Sequence, residues 1–400
     1  TTAEALDQAP PHTAGISSRH ADWQIDRLTA GIADRSRAWS AGLARRVERR
    51  GINVRPGVAR FLGERRLEVS CDEEKDTIPF DRALIASGSV PLFPPGIRPD
   101  GERIIAPRFA GHLKQSPQRL VMVGGGVTGC EYAYALRKLG AEVTIVSDRP
   151  RLLPQYDTDI AEQLALLLRG VGIGFVGSAP VTEIESAGDG VIVRLADGRA
   201  LDGSHAFVAL GRRGDFARLQ LEAAGIEHDD SGITTDPHGQ TSAAGIYAAG
   251  DAAGPPYIVN RGFALARVAM RHALGAPTPP FDDQLVVQAV YTHPPVGQVG
   301  LNEQRAAERG VELKVTTVPF EETLRGQITG ERGLFKLLHD PATRLIAGAG
   351  AVGPGAVDLL AIVALAIAKR LPIDDLAPLY FGHPSWSEVV SEAARQAAQA

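Results

Sequence analysis

Cysteine is nearly missing from this 400-residue sequence: Cys71 and Cys130 stand far apart, which excludes a disulfide framework or a paired metal-ligand spacing. Such usage points to a reducing cytoplasm. Methionine is as scarce, at Met122 and Met270, and the chain opens Thr1-Thr2-Ala3, so a processed start or a fragment is expected. Long apolar runs are lacking too. The longest, Leu359 to Ala368, is about half of what a bilayer span needs, and no charged n-region with an apolar h-region opens the chain, so no membrane partner is expected. Nor is there a strong charge imbalance, with 47 acids against 42 bases and a formal net charge of −5. The one dense basic stretch, Arg45-Arg46-Val47-Glu48-Arg49-Arg50, is interrupted by Glu48 and reads as a solvated helix face; no nucleic acid is expected to bind. What remains is ordinary globular composition, 44% hydrophobic and 22% charged, over a length suited to two or three domains.

Apolar residues Leu28, Ile32, Trp39, Leu43 and Val47 keep near-helical spacing between Asp22 and Arg50, which predicts one amphipathic helix with Gly31 as the place for a break. Alternating segments at Asn53 to Phe61, Arg66 to Cys71 and Thr77 to Pro79 predict a small β-meander. Ala83 to Ala86 reads as a buried strand, followed by a Pro-rich linker ending near Pro99. Leu120 to Val123, Thr128 to Leu139 and Val143 to Val146 form a strand, a helix and a strand. A further helix carries Ile160, Leu164, Leu167 and Leu168, with Asp157 or Thr158 as its cap; then come Phe175-Val176, a hairpin turning at Asp197-Gly198 and the strand Ala206 to Leu210. Strands alternating with helices imply a mostly parallel sheet. After Gly211 a short strand, Ile246 to Ala249, leads into Gly250-Asp251, and Phe263 to Leu274 reads as a helix. From Val286 the pattern turns antiparallel: a strand ends at Tyr291, Phe335 to Leu338 stands opposite Leu345 to Gly348, and helices close the chain at Asp358 to Arg370 and Ser387 to Ala400.

Gly124-Gly125-Gly126-Val127-Thr128-Gly129 spells G-x-G-x-x-G between a strand and a helix. That context places Gly124 in the tight turn, Gly126 where a pyrophosphate approaches the backbone and Gly129 at the helix–sheet contact. The residue reading the adenosine ribose belongs about 20 positions on. Ser147-Asp148-Arg149 stands there. A serine does not repel a 2′-phosphate and Arg149 or Arg151 could pair with it, which favours NADPH over NADH, whereas Asp148 pointing inward would reverse that preference.

Further motifs follow in a fixed order: Cys130-Glu131 directly after the glycine turn, Arg151-Leu152-Leu153-Pro154, Ala209-Leu210-Gly211-Arg212, Thr241 through Ile246-Tyr247-Ala248-Ala249-Gly250-Asp251, Tyr291-Thr292-His293-Pro294 with Val299-Gly300-Leu301, and His383-Pro384-Ser385-Trp386-Ser387-Glu388. The series resembles the FAD-dependent pyridine nucleotide-disulfide oxidoreductases, the group of dihydrolipoamide dehydrogenase, glutathione reductase and mercuric reductase, over nearly the whole chain.

The resemblance implies an α/β chain with FAD- and NAD(P)-binding Rossmann-like domains plus a C-terminal α+β dimerisation domain. Residues 1–116 would be a partial FAD-binding domain, 117–233 the NAD(P)-binding domain, 234–284 the remainder of the FAD-binding domain and 285–400 the dimerisation domain. Gly124, Gly125, Gly126, Val127, Thr128, Gly129 and Glu131 would then serve the nicotinamide cofactor, with Ser147 and Arg149 at its ribose and Gly211 lining the same site. Asp251 after Gly250 would hydrogen-bond the ribityl chain of FAD, and the Ser87-Gly88-Ser89 turn and Ala59 would pass close to FAD. His383 and Glu388 are similar to the family's catalytic base and its orienting carboxylate, which act across a homodimer on a small-molecule or protein disulfide. A carboxylate on one imidazole nitrogen fixes the tautomer and raises basicity, so that the other nitrogen can exchange a proton with a thiol. Without the resemblance, the same residues read as a helix start, with Ser385 as cap and Glu388 completing a capping box.

The pattern also departs from the family, whose members open with a strand, a glycine loop for the FAD pyrophosphate and a C-x-x-x-x-C pair followed by lysine. None of these is found here, so a truncated form is expected, with FAD weakly held, no dithiol cycle of its own, an unpaired edge on the first sheet and Glu131 left as an unpaired acid. The lack of a cysteine pair near the C-terminus argues against a mercuric-reductase reading. Two alternatives stay open: a flavoprotein NAD(P)H dehydrogenase passing electrons to quinone or oxygen, and a catalytically silent nucleotide-binding dimer.

Overall fold

Leu120, Val121, Met122 and Val123 form an apolar run, and such a run suits a strand covered on both faces. The computed structural model, which describes residues 25–113 and 116–399, places it at the centre of a five-stranded parallel sheet. The strand order is Ile104–Ile105, His205–Val208, Arg119–Val123, Glu142–Val146, Ile173–Val176. Because side chains alternate along a strand, Leu120, Met122, Val143, Ile145 and Phe207 point into one core and Val121, Val123, Val146, Ala206 and Val208 into another. The helices Val127–Lys138 and Thr158–Gly170 supply Cys130, Ala133, Tyr134, Ile160 and Leu164 to the first. A three-stranded antiparallel sheet, Val181–Ala187, Gly190–Leu195 and Ala200–Gly203, closes the second. The strand order reverses at Arg119–Val123, the position where doubly wound sheets open a crevice for a ligand.

This sheet belongs to one of two units into which the chain divides, built from parts of 1–33, 93–210 and 284–400. The same unit holds a five-stranded antiparallel sheet in the order Gln288–Val290, Val296–Gly300, Ile346–Val352, Leu334–His339, Lys314–Pro319. The helices Ala356–Ala368 and Glu388–Gln399 pack their apolar residues with Phe335, Leu337, Ala349 and Ala351 of this sheet. Val290, Val296 and Val352 join the core of the parallel sheet instead, so the two sheets share one apolar interior.

The second unit covers 34–92 and 211–283. It contains the antiparallel meander Val58–Gly63, Arg66–Cys71, Glu74–Pro79 and the parallel pair Ala83–Ile85 with Ile246–Ala248. The helix Val259–Ala273 follows. Three expectations are corrected. The long helix Ile25–Arg49 runs unbroken through Gly31, an isolated glycine whose cost of about 1 kcal/mol a long helix absorbs; Asp22 lies outside the described residues. The Pro-rich linker contains the strand Ser89–Pro91, paired with Arg212–Gly214, a partner too distant in sequence to leave a local signal. Asp157 stands at the N-cap of Thr158–Gly170 without a side-chain cap bond, because its carboxylate is committed to Glu303 and Lys336.

Candidate functional site

The four glycines of the 124–129 turn differ in what surrounds them. Gly124 has φ of +117° and a Cβ there would run into the carbonyl of Ala209, while a Cβ on Gly129 would run into the carbonyl of Gly124. Gly125 lies against Leu152 and Ser147, its Cβ position 3.1 Å from Leu152 Cδ2. At Gly126 a Cβ would meet nothing within 4 Å. The protein's own packing therefore does not require glycine at 126, and the bare backbone there faces open space at the N-terminus of Val127–Lys138. Unsatisfied helix N–H groups and an uncovered backbone fit a pyrophosphate, with half-buried Val127 and Thr128 opening the helix.

Ser147 directly follows the neighbouring strand Glu142–Val146 and is buried, and its Oγ accepts from the Arg149 N–H at 3.1 Å. It braces its own loop. Asp148 and Arg149 are both exposed and stand 3.5 Å apart, so Asp148 does not point inward. Arg151 is committed, donating to Thr158 Oγ1 at 2.8 Å and to the Pro154 carbonyl at 3.0 Å. A cavity of about 240 Å³ lined by Ser147, Asp148, Ile97, Pro180 and Leu210 opens beside them.

Glu131, one helical turn into Val127–Lys138, borders an apolar cavity of about 360 Å³ with Leu28, Leu113, Tyr132 and Leu136. Burial pushes its carboxyl above the usual range, against the pull of a hydrogen bond from the Tyr291 N–H to Oε1 at 2.8 Å. The expected unpaired acid thus has a main-chain partner. Cys130 beside it is buried, and burial followed by the charge of Glu131 pushes its thiol up to about 12.

The segment before the last helix brings His383 and Glu388 together, Nδ1 donating to Glu388 Oε1 at 2.7 Å. Glu388 Oε2 accepts from the Ser385 N–H at 2.8 Å. Those two bonds, the histidine's first, hold the Glu388 carboxyl below its ordinary pKa. The expected capping box is only half formed: Glu388 reaches back to Ser385, but the buried Ser385 Oγ makes no hydrogen bond. The helix starts at Glu388, so its first N–H groups lie beyond that hydroxyl.

In the second unit Asp251 follows Gly250 at a tight turn after Ile246–Ala248. Ser89 Oγ donates to Asp251 Oδ2 at 2.6 Å, and Arg212 donates to Ser89 Oγ and to the Ser89 carbonyl, each at 2.6 Å. Gly88, Gly211 and Gly250 all have positive φ, and a Cβ on any of them would meet nothing within 4 Å. Ala59 lies on the meander strand opposite Val69. A partly exposed carboxylate among uncovered backbone fits a hydroxylated chain such as that of FAD. Sequence reasoning missed one cluster altogether, Lys336 with Asp157, Asp159 and Glu303, although a lysine inside the apolar run Leu334-Phe335-Lys336-Leu337-Leu338 was a signal that could have found it.

Among the described residues no helix is long and apolar enough to cross a membrane. The family model for pyridine nucleotide-disulphide oxidoreductases matches residues 4–273, and the dimerisation-domain model of the same family matches 286–394. The chain is 31% identical over 405 residues to a dihydrolipoyl dehydrogenase of Chlorobaculum tepidum, covering 100% of this chain and 86% of the relative. It is 32% identical over 347 residues to an NAD(P)H dehydrogenase (quinone) of Mycobacterium tuberculosis, covering 86% of this chain and 70% of that protein. The crystal structure of LpdA from Mycobacterium tuberculosis superposes with a TM-score of 0.89 at 30% identity, covering 98% of this chain and 86% of that one. The chain belongs to the pyridine nucleotide-disulphide oxidoreductase family and is a flavin-dependent NAD(P)H oxidoreductase with a C-terminal dimerisation domain.

Proposed function

We propose that the chain, as a homodimer, moves electrons from NADPH by way of FAD to a disulfide acceptor, with His383 as its proton-exchanging residue and Glu388 as the group that orients it. The balance is NADPH + H+ + RS–SR giving NADP+ and two RSH. Bound FAD and NADPH supply the hydride chemistry. The domain division proposed with it is 1–116 and 234–284 for FAD, 117–233 for NAD(P) and 285–400 for dimerisation. The observation that carries this reading is the 2.7 Å bond between His383 Nδ1 and Glu388 Oε1 on an imidazole that is 62% exposed. With Nδ1 donating to the carboxylate, Nε2 is the nitrogen left to take and give a proton, and the exposed ring is accessible to a thiol or disulfide brought from outside this subunit. The Gly124–Gly129 turn holds the pyrophosphate on its backbone, and Arg149 pairs with a 2′-phosphate. Gly88, Ser89, Gly250 and Asp251 hold the ribityl chain.

A quinone acceptor is the second reading, and the 32% identity to an NAD(P)H dehydrogenase (quinone) favours it. Cys71 is exposed at the end of its strand, Cys130 is buried, and both are free, so these residues offer no dithiol relay. His383 could serve a quinone equally, since its reduction also consumes protons. The test uses the FAD-loaded protein with His383→Ala. Loss of disulfide reduction by about 10²- to 10⁴-fold, with flavin reduction by NADPH unchanged, supports the proposal. Equal loss of both steps removes His383 from this role, and wild-type turnover with a quinone but not with any disulfide favours the second reading.

A further inference from the structure

Lys336 occupies the middle of the strand Leu334–His339 with its side chain 1% exposed. Its ammonium meets Asp159 Oδ1 at 2.9 Å, Asp157 Oδ2 at 3.2 Å and Glu303 Oε1. The three carboxylates lie close enough together to hold a metal ion, but Lys336 is the cation they surround. Lys336 and Asp157 are buried while Asp159 and Glu303 keep partial exposure, and a buried ion pair of this kind is weak evidence for stability in itself. What it does well is fix geometry.

The geometry it fixes leads to the glycine turn. Asp157 uses its second oxygen, Oδ1, to accept from the Glu303 N–H at 2.9 Å, so it is held to the antiparallel-sheet region from two directions. Two residues earlier, the Gln155 carbonyl accepts from Asn302 Nδ2 at 3.0 Å. The same short segment then reaches the turn: the Leu153 N–H donates to the Gly125 carbonyl at 2.9 Å, and Leu152, buried like Leu153, packs where a Cβ on Gly125 would be. Residues 152–157 are therefore a strut, with the glycine turn at one end and Lys336 at the other.

We propose that Lys336 is a positioning residue for the nicotinamide dinucleotide: through Asp157 and the Leu152-Leu153 step it sets the height of the Gly125 carbonyl, and with it the turn on which the pyrophosphate rests. The inference rests on the reading of Gly124–Gly129 as the dinucleotide seat. Removing the ammonium leaves Asp157, Asp159 and Glu303 repelling one another, and the strut loosens at its far end.

The test is made on the full-length, FAD-loaded protein by equilibrium titration with NADP+ and with NAD+, alongside thermal unfolding and steady-state kinetics with NADPH. Lys336→Met is expected to raise Kd and KM by roughly three- to thirtyfold with kcat at saturation unchanged. A fall in Tm with Kd and KM within about twofold of wild type assigns Lys336 a structural role alone and overturns the proposal. Should Lys336→Met fail to fold, Asp159→Asn removes a single, partly exposed arm of the cluster; weaker dinucleotide binding supports the proposal and unchanged binding overturns it. Gly126→Val separates the two readings. If it binds NADP+ as wild type does, the seat is misassigned and the inference falls with it; if it loses binding while Lys336→Met does not, the positioning role alone fails.

Discussion

The main-chain N–H of Tyr291 donates to Oε1 of Glu131 at 2.8 Å, so the acid in the first half of the helix Val127–Lys138 is held by the backbone of the C-terminal segment. One hydrogen bond to one oxygen does not offset the burial of the carboxylate, and its pKa stays raised.

That shift has a sign that can be measured. A carboxyl with a raised folded pKa adds stability below its unfolded pKa of about 4.3 and loses that contribution as pH rises through the folded value. Glu131→Gln keeps an oxygen for the Tyr291 N–H and removes the charge. Its Tm relative to wild type is expected to climb between pH 4 and pH 7; a difference that stays constant or falls over that range contradicts the assignment.

Glu388 has the opposite sign. Its pKa is depressed by the bond from His383 and then by the Ser385 N–H, so its contribution is present above the unfolded pKa and disappears as pH falls through the folded value. Glu388→Gln is expected to lower stability at pH 7 by no more than about 1 kcal/mol, because the pair is partly exposed, and to flatten the acid limb of the Tm–pH curve. An acid limb as steep as that of wild type would show that the carboxylate is not held in this way.

Cofactor preference is predicted to rest on Arg149. Ser147 spends its hydroxyl on the loop and Arg151 is bound to Thr158 and Pro154, whereas Arg149 is exposed and meets its neighbour Asp148 across 3.5 Å. Arg149→Ala is expected to raise KM for NADPH by roughly ten- to a hundredfold, as for loss of a charge-assisted hydrogen bond, and to leave KM for NADH within a factor of about two. Equal effects on both cofactors, measured by steady-state kinetics, would exclude a role in reading the 2′-phosphate.

Much of this arrangement was legible in the sequence, and particular residues show why. The bare pattern G-x-G-x-x-G is spelled three times, at 124–129, 172–177 and 348–353. The last two lie over the strands Ile173–Val176 and Ile346–Val352. The first instead follows the apolar run Leu120 to Val123 and opens directly into the helical period, and that placement between a strand end and a helix start distinguishes a turn from a strand. The pairing of His383 with Glu388 was likewise readable, because five residues of chain bring both groups to one helix start. The contacts that escaped were those between distant segments. Nothing near Ser89 announces Arg212, 123 residues away, and although Lys336 stands out in its apolar run nothing near it names Asp157 as the partner, since pairings between segments far apart in sequence leave no local signal of each other. The half-formed capping box failed for a local reason, the helix beginning at the very residue expected to be its third.

The central claim is that a dinucleotide lying on the bare backbone of Gly126 reduces the flavin. Anaerobic stopped-flow mixing of the FAD-loaded protein with NADPH, followed at the flavin absorbance band, tests it most directly. Wild type is expected to bleach with a rate that saturates in NADPH, and Gly126→Val, whose side chain would project into the open space above the turn, is expected to lose that reduction while keeping its Tm. Gly126→Val bleaching at the wild-type rate would contradict the account.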